Sequence, residues 1–350
     1  MQMAAAHSNA PGASNPPLAS HLVGTRTQRQ TRQRSYVREP LGRLRRQRRL
    51  QLAAGTIEPQ LMWIFGSPRS GSSWLLNLLN EHDRVVPVDE PLLGFYLSPF
   101  LSDIPGGSAD KLDAQNFTLR KVQEGKRDQF FASEFEHVWL PSLALMMRRR
   151  FAAHALIYPA AVPLRETIVA VKEPNGSQSA DMIMAALPRS RLLFLLRDGR
   201  DVVDSELAAN RPGAWVSRDF PGVQGISDAA KLDFVTQSAH KWLWRTEAVQ
   251  RAYAAHPGHK LLVRYEDLRR EPARYLSQIF QWLGLDADPE TVAAVTERHS
   301  FERVPAGHRG PDQFFRAATP GLWRANLTAR EGDAVSEILG PKLRELGYET

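Results

Sequence analysis

The sequence predicts an α/β protein, a single domain with a central, mostly parallel sheet flanked by helices. Three observations point there. Five short runs, Leu61–Phe65, Arg84–Val88, Thr167–Val171, Arg191–Leu196 and Lys260–Arg264, have strand length and alternate with stretches of helical periodicity. Their interiors are nearly continuous in apolar residues, the pattern of strands covered on both faces. Each run also leads straight into polar, chemically able residues, and in such a sheet the carboxyl ends of the strands share one ligand-binding edge.

Composition bounds the rest. A chain of 350 residues can bury one large core or two modest ones, and 43% apolar with 24% charged residues is ordinary for a globular protein. Without Cys there are no disulfides, thiolate metal sites or thiol catalysis. No apolar run approaches bilayer-spanning length, and the first residues lack the apolar core of a secretory signal. The expected location is the cytoplasm, with peripheral membrane contact through an Arg-rich tail left open. That tail carries the charge. Residues 1–59 hold ten Arg, no Lys and two acidic residues, a balance of +8 in a chain whose total is +7.

Residues 1–56 are expected to be a disordered N-terminal tail, with the domain running over 57–350. Up to residue 35 the tail has few large apolar groups to offset its ordering entropy. Tyr36–Leu52 has the pattern of a short basic helix after Pro40. It fits a solvated leader better than a lipid or nucleic-acid anchor, because so few large apolar residues accompany the charge.

The first strand, 61–65, is followed by a loop of small residues and a helix from about Ser72. The second strand ends in Asp89-Glu90-Pro91. Phe130, Phe131, Phe135, Val138, Trp139, Leu143, Met146 and Met147 place a long helix over Arg127–Arg150, with Pro141 a candidate kink and Arg148–Arg150 at its C-terminus. After the third strand comes Lys172-Glu173-Pro174, then a helix over about 178–187. The fourth runs into Arg197-Asp198-Gly199-Arg200-Asp201 and a helix to about Ala209. A Gly/Pro-rich loop at 212–227 precedes a long helix, 229–255, and the fifth strand is capped by Tyr265-Glu266-Asp267. Helices follow at about Pro272–Leu283 and Pro289–Arg298, the latter capped by Asp288. Residues 301–323 are a loop, and Thr328 with Glu331 is a capping box for the last helix.

Two stretches carry anion chemistry. In the loop after the first strand, Gly66 and Gly71 have P-loop spacing, but Ser72 stands where the lysine belongs, Ser73 follows, and the cation is Arg69. Strand, small-residue loop and helix N-terminus make an anion cradle suited to a phosphate-containing donor other than a nucleoside triphosphate. The loop alone is equally a tight strand-to-helix turn. In the second stretch, Arg197 ends a strand and Ser205 lies eight residues on, so a guanidinium fork and a hydroxyl can grip one phosphate. Asp198, Arg200, Asp201 and Asp204 are equally a solvated helix start with ordinary ion pairs.

Taken together, these stretches resemble the sulfotransferases that use 3′-phosphoadenosine 5′-phosphosulfate (PAPS). Pro68-Arg69-Ser70-Gly71-Ser72-Ser73-Trp74 fits the family's 5′-phosphosulfate loop, LLRDGRDVVDS supplies Arg197 and Ser205 for the 3′-phosphate motif, and LLVRYEDL looks like the segment after the next strand. Arg316 with Gly321-Leu322-Trp323 resembles the lid over the nucleotide. The resemblance spans roughly 61–330 and implies a P-loop NTPase-like fold. Arg69 in place of Lys is in the style of bacterial and carbohydrate-modifying branches, and Glu173-Pro174 after Lys172 replaces the histidine of cytosolic members.

The resemblance implies in-line sulfuryl transfer from PAPS to an acceptor hydroxyl or amine. Arg69, Ser70, Gly71, Ser72 and Ser73 would hold the 5′ end, Trp74 the adenine, and Arg197, Ser205 and Arg316 the 3′-phosphate, with help from Tyr265. Lys172 would sit near the sulfuryl oxygens, with Glu90 as first choice of base and Asp89 and Glu173 behind it. The plain alternative for Glu90 is a partner of Arg69 or Lys172. No metal is called for: no ligand cluster is visible, and cationic side chains suffice for a group less charged than phosphoryl. The acceptor is a small molecule, carbohydrate or lipid, with its pocket expected among 92–165, 211–227 and 301–320; nucleic acid is not favoured. Two rivals remain, a P-loop kinase or NTPase, and a nucleic-acid- or membrane-associated protein acting through the basic tail.

Overall fold

A computed structural model of the chain describes residues 40–101, 133–220, 225–286 and 288–349. Five strands, β1 Leu61–Phe65, β2 Val85–Asp89, β3 Ile168–Lys172, β4 Arg191–Leu196 and β5 Lys260–Arg264, form one sheet in the order β2-β3-β1-β4-β5. Every neighbouring pair is parallel. The helices are α1 Pro40–Thr56, α2 Ser72–Asn80, α3 Leu93–Leu101, α4 Glu136–Ile157, α5 Ala180–Ala186, α6 Gly199–Ala209, α7 Trp215–Asp219, α8 Lys231–Ala255, α9 Tyr265–Arg270, α10 Pro272–Leu283, α11 Pro289–Arg298, α12 Trp323–Asn326 and α13 Ala329–Glu345.

Strand side chains alternate between two cores, which is why the strands read as unbroken apolar runs. Leu61, Trp63, Phe65, Val169, Val171, Leu192, Phe194 and Leu196 face α4, α8 and α13. Met62, Ile64, Ile168, Ala170, Leu193, Leu195 and Val263 face α2, α10 and α11. Trp63 stacks on Phe65 with ring centroids 5.5 Å apart and meets Phe151 of α4 edge-on at 5.3 Å. Because β1 lies between β3 and β4, chain connections leave its carboxyl end in opposite directions, and the crevice of the fold opens there.

Several boundaries differ from the sequence reading. The basic helix is present, but it runs on to Thr56, and Ala53 and Ala54 are buried against the core. The folded part therefore begins before residue 57, and a disordered tail over all of 1–56 is corrected; residues 1–39 lie outside the described residues. The long helix expected over 127–150 begins at Glu136 and ends at Ile157, with Pro141 inside it; Phe130 and Phe131 fall outside the described residues. Arg148 is thus two turns from the helix end. Its partner is Glu58, 2% exposed, whose carboxylate also accepts from the Arg189 amide at 2.9 Å. A tertiary ion pair, not the helix dipole, accounts for it. The helix expected from 178 starts with a 3-10 segment at Pro174–Ser179, and the 212–227 loop contains α7. Both expected caps form: Asp288 accepts from the Thr291 amide, and Thr328 and Glu331 close a reciprocal box.

Candidate active site

The loop after β1 is shaped by backbone constraints. Gly71 has φ +85°, and a Cβ there would fall 2.6 Å from the Tyr265 ring, so loop and ring fit only around glycine. Arg69 also has positive φ, at 66°. The α2 helix then starts at Ser72 with no side-chain cap, leaving first-turn N–H groups directed at the crevice.

Arg69 is the hub. Its Nε donates to Ser205 Oγ at 3.1 Å, its guanidinium donates to the Phe314 carbonyl at 2.9 Å, and it lies over the rings of Phe314 and Trp215 at 4.8 and 5.6 Å. Burial, then the charge of Arg197, lowers its pKa to about 10, which leaves it charged at neutral pH. Arg197, at the end of β4, donates to the Arg69 carbonyl and stacks 4.4 Å over Tyr265. Trp242 of α8 fixes the Arg197 carbonyl with a 3.2 Å bond. The two predicted anion stretches therefore meet, with Arg69, Arg197, Ser205 and Tyr265 all lining one cavity of about 590 Å³. Arg197 Nε and Ser70 Oγ are buried donors without partners among the described residues. Trp74 lines the cavity too, held by a 2.9 Å bond from its Nε1 to the His299 carbonyl and set edge-on to Tyr265.

Arg316 is placed differently. Both of its terminal nitrogens bond the carboxylate of Asp204, which is fully buried, and Asn326 donates to the same group at 3.0 Å. Arg316 faces the cavity, but its fork is occupied. Asp201 and Asp204 are buried, not a solvated helix start. Asp201 accepts from the Gly321 and Trp323 amides at 2.7 and 3.3 Å, so α6 pins the 316–326 segment through two carboxylates.

At the ends of β2 and β3, Lys172 is buried and donates to Ser73 Oγ at 2.8 Å. It pairs with Asp89 at 2.5 Å and Glu90 at 2.9 Å. Asn175 donates to the other Glu90 oxygen at 2.8 Å. The plain alternative is thus partly realised, since Glu90 does pair with Lys172; its side chain keeps 34% exposure and lines the cavity. Glu173, by contrast, points away under α3, where it accepts from the Gly94 amide at 3.2 Å.

Burial, opposed by backbone hydrogen bonds and aided by Glu90, raises the Glu173 pKa from 4.5 to about 7. The fold favours the neutral carboxyl, so this group's stabilisation is present below about pH 4.5 and is lost as pH rises through about 7. Glu173→Gln is expected to melt above the wild type at pH 8, by at most about 3 kcal/mol, with the gap closing near pH 4.5. Thermal melts at the two pH values check this; a gap independent of pH contradicts it.

Sequence reasoning passed over several cavity residues. Trp215, Phe220, Phe314 and Phe315 form an aromatic wall from two of the segments expected to border the pocket, 211–227 and 301–320, though none of the four was singled out. Glu206, Lys241 and Arg245 also line it. A usable signal existed for the last two: Phe234, Lys241 and Arg245 are spaced seven and four apart, one face of α8. None of the described residues in 92–165 lines the cavity, contrary to expectation.

The site thus combines a parallel sheet with its crevice at β1, a loop there that carries Arg69 in place of the P-loop lysine, and a second arginine after β4. The chain belongs to the sulfotransferase family, whose model matches residues 62–289. It is 25% identical over 302 residues to the nodulation protein NoeE of Sinorhizobium fredii, covering 83% of this chain and 66% of that protein. With sulfotransferase 1C2 of Rattus norvegicus it shares 30% identity over 96 residues, covering 24% of this chain and 32% of that protein. The chain thus spans about two thirds of the first relative and one third of the second. Mouse sulfotransferase SULT7A1, solved in complex with PAP, shares the fold at a TM-score of 0.50 and 12% identity, over 84% of this chain and 91% of that one. The STF9 sulfotransferase of Mycobacterium avium aligns at a TM-score of 0.47 and 16% identity, over 90% and 88%. Among the described residues, no helix is long and apolar enough to cross a membrane.

Proposed function

We propose that this protein transfers a sulfuryl group from PAPS to a hydroxyl or amine of a small-molecule, carbohydrate or lipid acceptor. The observation that carries the reading is the convergence of Arg69, Arg197 and Ser205 on one cavity, with neither arginine in an ion pair among the described residues. Arg197 lines the cavity and its Nε has no partner among the described residues, which is what a site for a bound anion supplies. PAPS brings two anionic ends and the activated sulfuryl group.

Each residue then has a task. Arg69, Ser70, Gly71, Ser72 and Ser73, with the α2 dipole, hold the 5′ end and stabilise charge on the departing phosphate oxygen. Arg197 and Ser205 hold the 3′-phosphate, Trp74 offers a face to adenine, and Tyr265 props Arg197. Arg316 acts indirectly, by fixing the 316–326 segment through Asp204. Lys172 is buried and absent from the cavity lining, so in place of the sulfuryl contact first expected it holds Ser73 and Glu90 in position. Glu90 takes the acceptor proton as the new S–O or S–N bond forms and the S–O bond to the donor phosphate breaks.

Glu90→Gln can still accept from Asn175 but cannot take a proton. Its kcat is expected to fall by about 10²- to 10⁴-fold, with 3′,5′-ADP affinity nearly unchanged. A fall below about tenfold would reduce Glu90 to a partner of Lys172. For the reading as a whole, the protein is incubated with labelled PAPS and an extract of its source cells, and the sulfated product is identified by mass spectrometry. Absence of any labelled product contradicts it.

A further inference from the structure

The cavity holds more positive charge than the donor requires. Arg69, Arg197, Lys241, Arg245, Arg269 and Arg316 all line it. Arg269 is paired with Glu302 and Arg316 with Asp204. Arg69 and Arg197 are matched to the two anionic ends of PAPS. Lys241 and Arg245 remain, one helical turn apart on the face of α8 that also presents Phe234. Neither forms an ion pair among the described residues. Among the described residues, Arg245 is tethered through Nε alone, by a 3.4 Å bond to Gln178 Oε1.

The surroundings locate this pair. Arg245 is bonded to Gln178, in the same 3-10 segment as Asn175, which donates to Glu90, so it stands on the Glu90 side of the cavity, where Glu206 and Glu90 are the carboxylates that favour its charge. Glu90 is already engaged by Lys172 and Asn175. Glu206 is shared, since it acts on Arg69 as well. Two cations thus face the cavity with part of one carboxylate between them, and burial penalises the Arg245 charge. A guanidinium that faces a half-buried cavity and is bonded to no carboxylate among the described residues is a site for an oxyanion, which it can grip in fork geometry.

We infer that the acceptor carries an oxyanion, a carboxylate, sulfate or phosphate group, which Arg245 and Lys241 hold so that its hydroxyl or amine lies at Glu90. The inference rests on the sulfuryl-transfer reading and names the acceptor class for that same site. Arg245 and Lys241 act in substrate selection and take no part in the proton transfer.

The test splits an extract of the source cells by anion exchange at neutral pH into a neutral and cationic flow-through and an anionic eluate. Each is incubated with labelled PAPS and either the wild-type protein or the double variant Lys241→Gln/Arg245→Gln. Labelled product is expected from the eluate. The double variant should raise KM for that acceptor by about 10- to 100-fold with a smaller change in kcat, while 3′,5′-ADP affinity, which also reports folding, stays within about twofold. Phosphatase treatment of the eluate separates the sources: a phosphate-bearing acceptor is lost, a carboxylate or sulfate survives. Product from the flow-through alone, or an unchanged KM in the double variant, overturns the inference and leaves the transferase reading standing. No product from either fraction removes that reading, and this inference with it.

Discussion

Arg197→Ala is expected to weaken 3′,5′-ADP binding by about 10- to 150-fold, the equivalent of about 1.5–3 kcal/mol for a hydrogen bond to a charged group. The effect should be large because Arg197 is fixed before any ligand arrives. Its carbonyl is held by Trp242, its guanidinium lies on Tyr265 and reaches the Arg69 carbonyl, and only 8% of the residue is exposed. Little ordering entropy is left to lose on binding. Its Nε has no partner among the described residues, so a phosphate would satisfy a buried donor without displacing any of their bonds. Calorimetry on the variant checks the figure. Retained affinity would remove the phosphate assignment for the loop after β4.

Arg69→Ala should have the opposite signature, a kcat lower by about 10²- to 10³-fold with much of the 3′,5′-ADP affinity retained. In the proposed reaction the arginine sits at the 5′ cradle, where charge would build on the departing oxygen, and its low-dielectric setting would make that charge count for more than in water. It also bonds Ser205 and the Phe314 carbonyl, tying the cradle to α6 and to the aromatic wall. A modest loss of nucleotide affinity is therefore expected alongside the loss of turnover. Single-turnover kinetics with saturating PAPS separate the two effects, and a variant that loses only affinity would contradict a role in the chemical step.

Much of this was legible in the sequence, for local reasons. The strands are short, apolar and sharply terminated, and β2 and β3 each lie one residue further along than expected. The helices at Pro272–Leu283 and Pro289–Arg298 and the Thr328–Glu331 box came from capping and proline signals that act within a few residues. What escaped depends on contacts distant in sequence. Arg316 looked like a free phosphate ligand because nothing local shows that Asp204, 112 residues earlier, takes up its fork. Asp201 and Asp204 looked solvated because their partners, the Gly321 amide and Arg316, arrive from the last third of the chain. Arg148 looked like a helix-end charge because its partner, Glu58, lies 90 residues away. Trp215 and Phe314 read as loop residues, since an aromatic wall made from two segments has no periodicity in either.

On the proposed reading, one cavity grips a nucleotide by a 5′ and a 3′ phosphate group through side chains and loop amides. Thermal shift tests it most directly, with the protein titrated in parallel with 3′,5′-ADP without magnesium and with ATP plus magnesium. A saturable rise in melting temperature is expected with 3′,5′-ADP alone, one that ATP with magnesium does not exceed and that is largely lost in Arg197→Ala. Stabilisation by ATP with magnesium and none by 3′,5′-ADP would contradict it and restore a kinase-like reading of the loop.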